Sequence, residues 1–315
     1  MILVTGGAGF IGSHVTDKLL EMGESVISID NFNDFYKPDI KRKNIQHNLE
    51  KENFKLVEVD ITNKERLKAI FKENDINKVI HLAAMAGVRP SIENPYIYEE
   101  INIRGTLNLL EIVRDCGIEN FVFGSSSSVY GASDVVPFIE NNRADRPISP
   151  YAASKRSCEL FCYTYSHLFD IPMSCLRFFT VYGPRQRPEM AIHKFARLID
   201  QGKEIEMYGD GKSKRDYTFV SDIVNGIVSV LGKKFKYEIF NLGNSKTVEL
   251  RYLISLIEKN IGKEANIKQM PDQPGDVPIT YADVSKSNKL FGYEPKVSIE
   301  EGIRRFIEWY GNNKP

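Results

Sequence analysis

The chain reads as an α/β protein with a doubly wound parallel sheet and a second, smaller mixed α/β lobe. Three observations point there. The apolar run Ile2-Leu3-Val4 is followed by Gly6, Gly9 and Gly12 at a spacing of three, and from Phe10 the apolar residues recur at helical spacing, which predicts a buried strand, a tight turn and a helix. A second strand, Ser25 to Ile29, ends in Asp30, 18 residues past Gly12. Strand and helix then alternate up to about residue 180, with crossovers of the length that parallel pairing needs.

The first turn has a specific use. Glycine accepts positive φ and carries no Cβ, so the backbone can lie against a diphosphate while the helix N-terminus turns its free N–H groups toward the anion. Gly6, Gly9, Phe10, Ile11 and Gly12 are the expected cradle, and Asp30 with Asn31 the expected partner of the adenosine ribose. No basic residue follows Asp30 directly, and a carboxylate repels a 2′-phosphate, so the expected cofactor is NAD rather than NADP. The two-and-two glycine spacing resembles the short-chain dehydrogenase/reductase variant of the fold.

Downstream, Asn31 to Pro38 is a polar and aromatic loop leading into a basic helix around Lys41 to Leu49. Phe54 to Val59 alternates as a strand and delivers Asp60 and Ile61 to the adenine end. A helix over Asn63 to Glu73 precedes the strand Lys78 to Leu82. There Leu82, Ala83 and Ala84 open a run of small residues that lets a cofactor lie against the backbone. Asn94 to Cys116 is expected as one long helix with Asn102 inside it, before the strand Asn120 to Phe123. Beyond Tyr182 prolines and arginines cluster and the pattern changes. The expected division is a dinucleotide-binding domain over 1–180 and a smaller, substrate-binding lobe over 181–315. The stretch near 216–242 is expected to return to the first sheet as a helix and a strand.

Composition narrows the partners. Lys plus Arg and Asp plus Glu both total 42, so neither nucleic acid nor an anionic membrane is an expected partner. No apolar run approaches the ~18 residues of a membrane span, and the first strand starts at once, with no secretory signal before it, so the expected location is the cytoplasm. Cys116, Cys158, Cys162 and Cys175 sit mostly in apolar-periodic segments and read as buried thiols of a reducing compartment. None of the five histidines clusters with them, and no metal is expected.

The chemistry lies at the end of the strand that enters Gly124-Ser-Ser-Ser-Ser-Val-Tyr-Gly131, and at the helix opening Ser149-Pro150-Tyr151-Ala-Ala-Ser-Lys155. Tyr151 and Lys155, at i and i+4, share a helix face. A phenol beside an ammonium and an oxidised nicotinamide is expected to lose its proton well below its ordinary value of about 10. Tyr151 is then the base, Lys155 tunes it and holds the cofactor ribose, and a serine hydroxyl orients the substrate oxygen. Tyr208 and Lys212 repeat the spacing, but in a Gly-Asp-Gly loop.

Taken together, the glycine triplet, Asp30, Asp60-Ile61, Ser-Ser-x-x-Val-Tyr-Gly, Tyr151-x-x-x-Lys155 and Pro274-Gly275-Asp276 resemble the extended short-chain dehydrogenase/reductases that act on nucleotide sugars, over nearly the whole chain. The resemblance implies that Ser126 is the catalytic serine, that Arg215 and Asp276 contact the diphosphate and uridine ribose, and that two copies pair through the long helices holding Asn102 and Tyr163. In that family the dehydratases carry Asp-Glu before Val-Tyr-Gly and the UDP-glucuronate decarboxylases a Glu. This chain has Ser127 and Ser128, which disfavours elimination and leaves epimerisation at sugar C4 through a 4-keto intermediate.

Several stretches, among them Arg177 to Pro188 and Met270 to Asp276, look like UDP-glucuronate 4-epimerases, and Thr180 stands where the neutral-hexose epimerases usually have Asn. A C6 carboxylate wants hydroxyls and a guanidinium fork, and Ser127, Ser128, Thr180 and Arg187 can supply them. Arg89 and Arg187 could instead contact the cofactor or the diphosphate, or close a salt bridge. Ser127 and Ser128 could simply pack, and Met207 and Tyr208 could flank the uracil or belong to the lobe core. Gln273 replaces an Arg that related epimerases often place on the phosphate. The reading is an NAD-dependent epimerase of a UDP-sugar, with UDP-glucuronate first and UDP-glucose or its N-acetyl analogue second. A non-catalytic NAD-binding sensor or scaffold and a net dehydrogenase are the further rivals.

Overall fold

The computed structural model describes residues 1–133, 135–271 and 277–314. Its strands are β1 (Ile2–Thr5), β2 (Val26–Asp30), β3 (Phe54–Glu58), β4 (Lys78–His81), β5 (Asn120–Ser126), β6 (Met173–Phe178), β7 (Thr180–Tyr182), β8 (Glu204–Tyr208), β9 (Lys214–Phe219), β10 (Tyr237–Leu242), β11 (Thr247–Glu249) and β12 (Asn266–Met270). Seven of them form one sheet in the order β10-β6-β5-β4-β1-β2-β3, every neighbouring pair parallel. The order reverses beside β1, so a crevice opens at the carboxyl ends of β1 and β4. A three-stranded sheet, β11-β9-β7, and the pair β12-β8 complete the smaller mixed part.

Helices α1 (Phe10–Glu21), α2 (Pro38–Ile45), α3 (Lys64–Glu73), α4 (Val88–Glu93), α5 (Pro95–Tyr98), α6 (Gly105–Arg114), α7 (Pro150–Phe169), α8 (Ala191–Asp200), α9 (Val220–Leu231), α10 (Leu250–Ile261), α11 (Ser285–Phe291) and α12 (Ile299–Asn312) surround the strands. The two-residue period of the strands divides the core. Leu3, Val79 and Phe121 face α3, α6 and α7, while Ile2, Val4, Ile80 and Val122 face α1 and α9, in a core that runs on into the smaller lobe. Among the described residues no helix is long and apolar enough to cross a membrane.

Four local expectations change. The stretch from Asn94 is not one α-helix: residues Glu99–Arg104 form a π-helical turn between α5 and α6. The cause lies at Asn102, whose amide accepts from the Met85 N–H at 2.7 Å and donates to the Met85 carbonyl and the Ser154 hydroxyl, pulling the turn toward the crevice. Residues 216–219 belong to β9 rather than to a helix, because Asp216 accepts the N–H groups of Asn244, Ser245 and Ala282 and ties that strand to its neighbours. β5 runs on to Ser126, beyond Phe123. Cys116, at the end of α6, is exposed, whereas the other three cysteines are buried.

One buried ion pair binds the layers together. Arg177 on β6 and Glu159 on α7, both essentially without solvent exposure, meet in a bidentate pair at 2.9 Å from Nε and from Nη2. The same carboxylate accepts from Ser125 Oγ at 2.6 Å and from Arg156 at 2.8 Å. The Arg177 guanidinium lies 4.6 Å from the Tyr130 ring centre, and the Tyr130 hydroxyl donates to Asn241 on β10 at 2.7 Å. Burial alone would raise the Glu159 pKa, but the Arg177 hydrogen bonds and charge outweigh it and hold the carboxyl below its ordinary range. A desolvated charge of this kind is tolerated only with its partner present. Glu159→Gln should therefore cost about 3–5 kcal/mol in denaturant unfolding, by stranding Arg177. The double change Glu159→Leu, Arg177→Met should recover most of that loss, and a single variant within 1 kcal/mol of wild type, by the same unfolding scale, would contradict the assignment.

Candidate active site

The glycine turn forms the floor of the crevice. Gly6 has φ +68°, and a Cβ there would lie 2.8 Å from the Ala83 nitrogen, while a Cβ on Gly12 would collide with the Gly6 carbonyl. The backbone of β1 and that of the Leu82–Ala83 segment are also pinned to each other, since Thr5 Oγ1 accepts both of those N–H groups, at 3.1 and 3.0 Å. His81 bridges Thr5 and Thr106, and burial, with the Lys155 charge in second place, pushes its pKa down to about 3.

A cavity of about 410 Å³ opens above this floor, and its walls carry most of the residues singled out by the sequence. Gly6, Gly9, Phe10, Ile11 and Gly12 line it with Asp30, Asn31 and Ile61 at one end and Leu82, Ala83 and Ala84 in the middle. Ser126, Ser127, Ser128, Tyr151, Lys155 and Thr180 continue the lining, together with Arg187. The Asp30 carboxylate accepts the N–H groups of Ala8 and Phe32, which brace it at the mouth, and burial raises its pKa.

Asp60 and Asn102 act behind the wall. Asp60 accepts from Thr62 and, at 2.6 Å, from Asn31. Burial would raise its pKa, but those bonds prevail and lower it. Its neighbours Val59 and Ile61 line the cavity instead. Asn102 holds the Met85 backbone and does not reach the opening.

Ser149 caps α7 through the Ala152 N–H at 3.1 Å, and Pro150 takes the first helical position, so the helix presents Tyr151 and Lys155 to the crevice. Ser126, which acts to lower the Tyr151 pKa, donates from its Oγ to Ser128 Oγ at 3.0 Å. Lys155 donates to the Gly124 carbonyl at 2.7 Å, with its ammonium 4.9 Å from the Phe123 ring centre. In the protein by itself, without the nicotinamide charge that the expectation includes, the Tyr151 pKa is raised. Burial dominates, Ser126 and the Arg187 charge only oppose it, and the Lys155 ammonium is turned to Gly124. Burial likewise pushes Lys155 down to about 8.

Arg187 reaches the cavity from a loop fixed at several points. His14 on α1 is bonded to the Pro184 carbonyl at 2.9 Å, Arg185 pairs with Asp17 at 2.7 Å, and His193 is bonded to the Gln186 carbonyl. The Arg187 guanidinium pairs with Glu189 at 3.1 Å and lies 5.4 Å from the Phe35 ring centre. Thr180, Ser127 and Ser128 are shared with a smaller cavity of about 160 Å³ that continues to Arg215 and Thr280.

Three other expected contacts, Arg89, Met207 and Tyr208, line neither cavity. Met207 is buried in the core of the smaller lobe, and Arg89 lies 4.8 Å from the Tyr208 ring centre. Gln273 and Asp276 lie outside the described residues. Sequence reasoning passed over Phe35, Tyr36, Lys41, Phe178 and Met190, which also line the main cavity. The signal that could have found the first two was the aromatic pair in an otherwise polar loop.

Residues 3–306 match the family described as GDP-mannose 4,6 dehydratase. The chain is 46% identical over 312 residues to a UDP-glucuronate 4-epimerase of Thermodesulfobacterium geofontis, covering 99% of this chain and 96% of that one. Its fold superposes with a TM-score of 0.93, at 36% identity and 99% coverage of both chains, on a UDP-glucuronic acid 4-epimerase of Bacillus cereus solved with UDP-glucuronic acid and NAD. It superposes with 0.91, at 34% identity and over 99% and 98% of the two chains, on a UDP-glucose 4-epimerase of Thermotoga maritima solved with UDP-glucose. The chain belongs to this family of extended short-chain dehydrogenase/reductases.

The buried lysine makes a testable statement about pH. Its folded pKa lies below the ordinary lysine value of 10.5, so between about pH 8 and 10.5 the unfolded chain binds a proton that the folded protein does not. Stability should then rise with pH across that window, by on the order of 3 kcal/mol from this group. Denaturant titrations at pH 7.5 and 9.5 should show the rise in wild type and lose most of it in Lys155→Met. An equal rise in the variant would contradict the assignment.

Proposed function

We propose that this member of the family, an NAD-dependent UDP-sugar 4-epimerase, interconverts UDP-glucuronate and UDP-galacturonate. The observation that carries the substrate is the polar part of the cavity lining. The hydroxyls of Ser127, Ser128 and Thr180 and the guanidinium of Arg187 line the space beside Tyr151. Such a set suits a sugar carboxylate.

NAD supplies the hydride acceptor in one half of the cycle and the donor in the other, and its oxidised ring brings positive charge to the site. The glycine turn and Asp30 fit its diphosphate and ribose, since a Cβ at Gly6 or Gly12 would fill the space the backbone leaves. Tyr151 takes the proton of the sugar C4 hydroxyl and returns it to the ketone oxygen once the 4-keto sugar has turned over, while Ser126 orients that oxygen. Burial keeps the phenol protonated in the protein alone. Arg187 and the positive cofactor ring are what draw it toward phenolate. Lys155, freed from Gly124, is assigned to hold the ribose.

No carboxylate stands where the dehydratases and decarboxylases carry theirs, because Ser127 and Ser128 occupy those positions. Oxidation at C4 makes a β-keto acid, which loses CO₂ when its carboxylate bond aligns with the ketone π system. Arg187 and the three hydroxyls are assigned the task of holding the carboxylate out of that alignment. The smaller cavity running to Arg215 and Thr280 is assigned to the nucleotide side of the sugar, and 181–315 is assigned as the sugar-binding lobe. Two copies are expected to pair through α7, whose Leu160 and Tyr163 are both about half exposed.

Incubation of the purified protein with UDP-glucuronate or UDP-glucose, with sugars and CO₂ followed by NMR, tests the reading. UDP-galacturonate without CO₂ is expected from wild type. Arg187→Ala should raise KM for the uronate about 10- to 100-fold, as loss of a charge-assisted pair predicts, and release CO₂ with UDP-pentose. UDP-galactose as the preferred product would move the substrate to a neutral hexose.

A further inference from the structure

Arg187 has a carboxylate of the chain itself beside it, and the mechanism above gives that carboxylate no work. Arg187, Pro188, Glu189 and Met190 form a tight turn ahead of α8, closed by the Met190 N–H on the Arg187 carbonyl at 3.1 Å. Pro188 suits the second position of such a turn, because its ring fixes φ. The turn brings a Glu189 carboxylate oxygen to 3.1 Å from Arg187 Nη1. The residues at its two ends, Arg187 and Met190, line the main cavity. The Glu189 side chain is 42% exposed and that of Arg187 19%, so the pair runs from solvent to the cavity wall.

A guanidinium held mostly out of water needs a counter-charge. The charge of Arg187 is felt on two sides. It acts on the Tyr151 phenol and on Tyr98, whose ring meets that of Tyr151 edge-on at 6.2 Å. It also acts on Tyr36 and Lys41, and there Glu189 works in the opposite sense. Glu189 thus offsets a positive charge that the reacting groups use. A second anion brought to Arg187 has to share the guanidinium with Glu189 or displace it, since two carboxylates beside one cation repel each other.

On the reading that Arg187 takes the sugar carboxylate, we propose that Glu189 is its built-in counter-ion and a determinant of specificity. Glu189 holds the guanidinium in the protein by itself and yields it to a uronate. A neutral hexose brings no charge to exchange and leaves the pair closed. The exchange also eases departure of the product, because Arg187 regains a partner as the sugar carboxylate leaves.

Glu189→Gln keeps an oxygen that can accept from Arg187 and removes only the charge. Dissociation constants for UDP-glucuronate and for UDP-glucose are measured by calorimetry on the NAD-loaded protein carrying Tyr151→Phe, which removes the proposed base, with and without Glu189→Gln. The added change should tighten UDP-glucuronate binding by about 2- to 5-fold, the range of one partly exposed ion pair, and leave UDP-glucose as before. A turn that merely keeps the loop in shape would move both sugars alike. Where the parent prefers the uronate, an unchanged or weaker uronate constant, or an equal shift for the two sugars, would overturn the counter-ion and leave the carboxylate reading standing. A parent with no preference for the uronate would overturn that reading and the counter-ion with it.

Discussion

The salt bridge of Arg177 with Glu159 is the contact on which the site depends most. Two opposite charges are taken wholly out of water at the junction of β5, β6 and α7. Such a pair contributes little net stability compared with an apolar equivalent, yet it is intolerant of misplacement. That intolerance is what a catalytic site can use. Glu159 lies one helical turn beyond Lys155 and two beyond Tyr151, and it accepts from Ser125, the residue before Ser126. The carboxylate thus fixes the helix bearing the phenol against the strand bearing the serine, and Tyr130 carries the same network on to β10.

The other half of the site is organised by α1. Its N-terminus is the proposed anion cradle, and farther along it His14 and Asp17 hold the loop that carries Arg187. On the proposed reading, the groups assigned to cofactor and to sugar are fastened to one helix. Burial pushes His14 down to about 4, with Arg185 adding to the effect, so this clasp is neutral at ordinary pH. Electrostatics of the cavity are divided accordingly. Burial sets the resting state of Tyr151 and Lys155, and charges that arrive with the ligands are left to reverse it.

Much of this was legible in the sequence, where the cause was local. The glycine spacing, the alternation of strand and helix, the capped start at Ser149 and the serine run each follow from neighbours a few residues away. The parallel sheet and the meeting of Tyr151 and Lys155 with the serine strand at one cavity came from those patterns, whereas Ser126 as the particular serine, Thr180 and Arg187 came from the resemblance to the nucleotide-sugar enzymes. What was not legible depends on residues far apart. Nothing in the periodicity of α7 marks Glu159 as the partner of Arg177, and the π-helical turn at Asn102 is caused by the Met85 backbone. Met207 lies on the buried face of β8 and joins the core, which strand alternation alone leaves open. In the protein alone the Tyr151 pKa is raised because of desolvation, which only the packed structure supplies, whereas the expectation of a lowered value counted the charge of the nicotinamide ring.

On the proposed mechanism the C4 hydride goes to an NAD that stays bound in this cavity and comes back from the same NAD. UDP-glucuronate carrying deuterium at C4, incubated with the protein in ordinary water with no added NAD, measures this directly. The account predicts UDP-galacturonate that keeps the deuterium at C4 through many turnovers, with none in solvent. Product that has exchanged its label for protium, or a stoichiometric demand for added NAD, would contradict it.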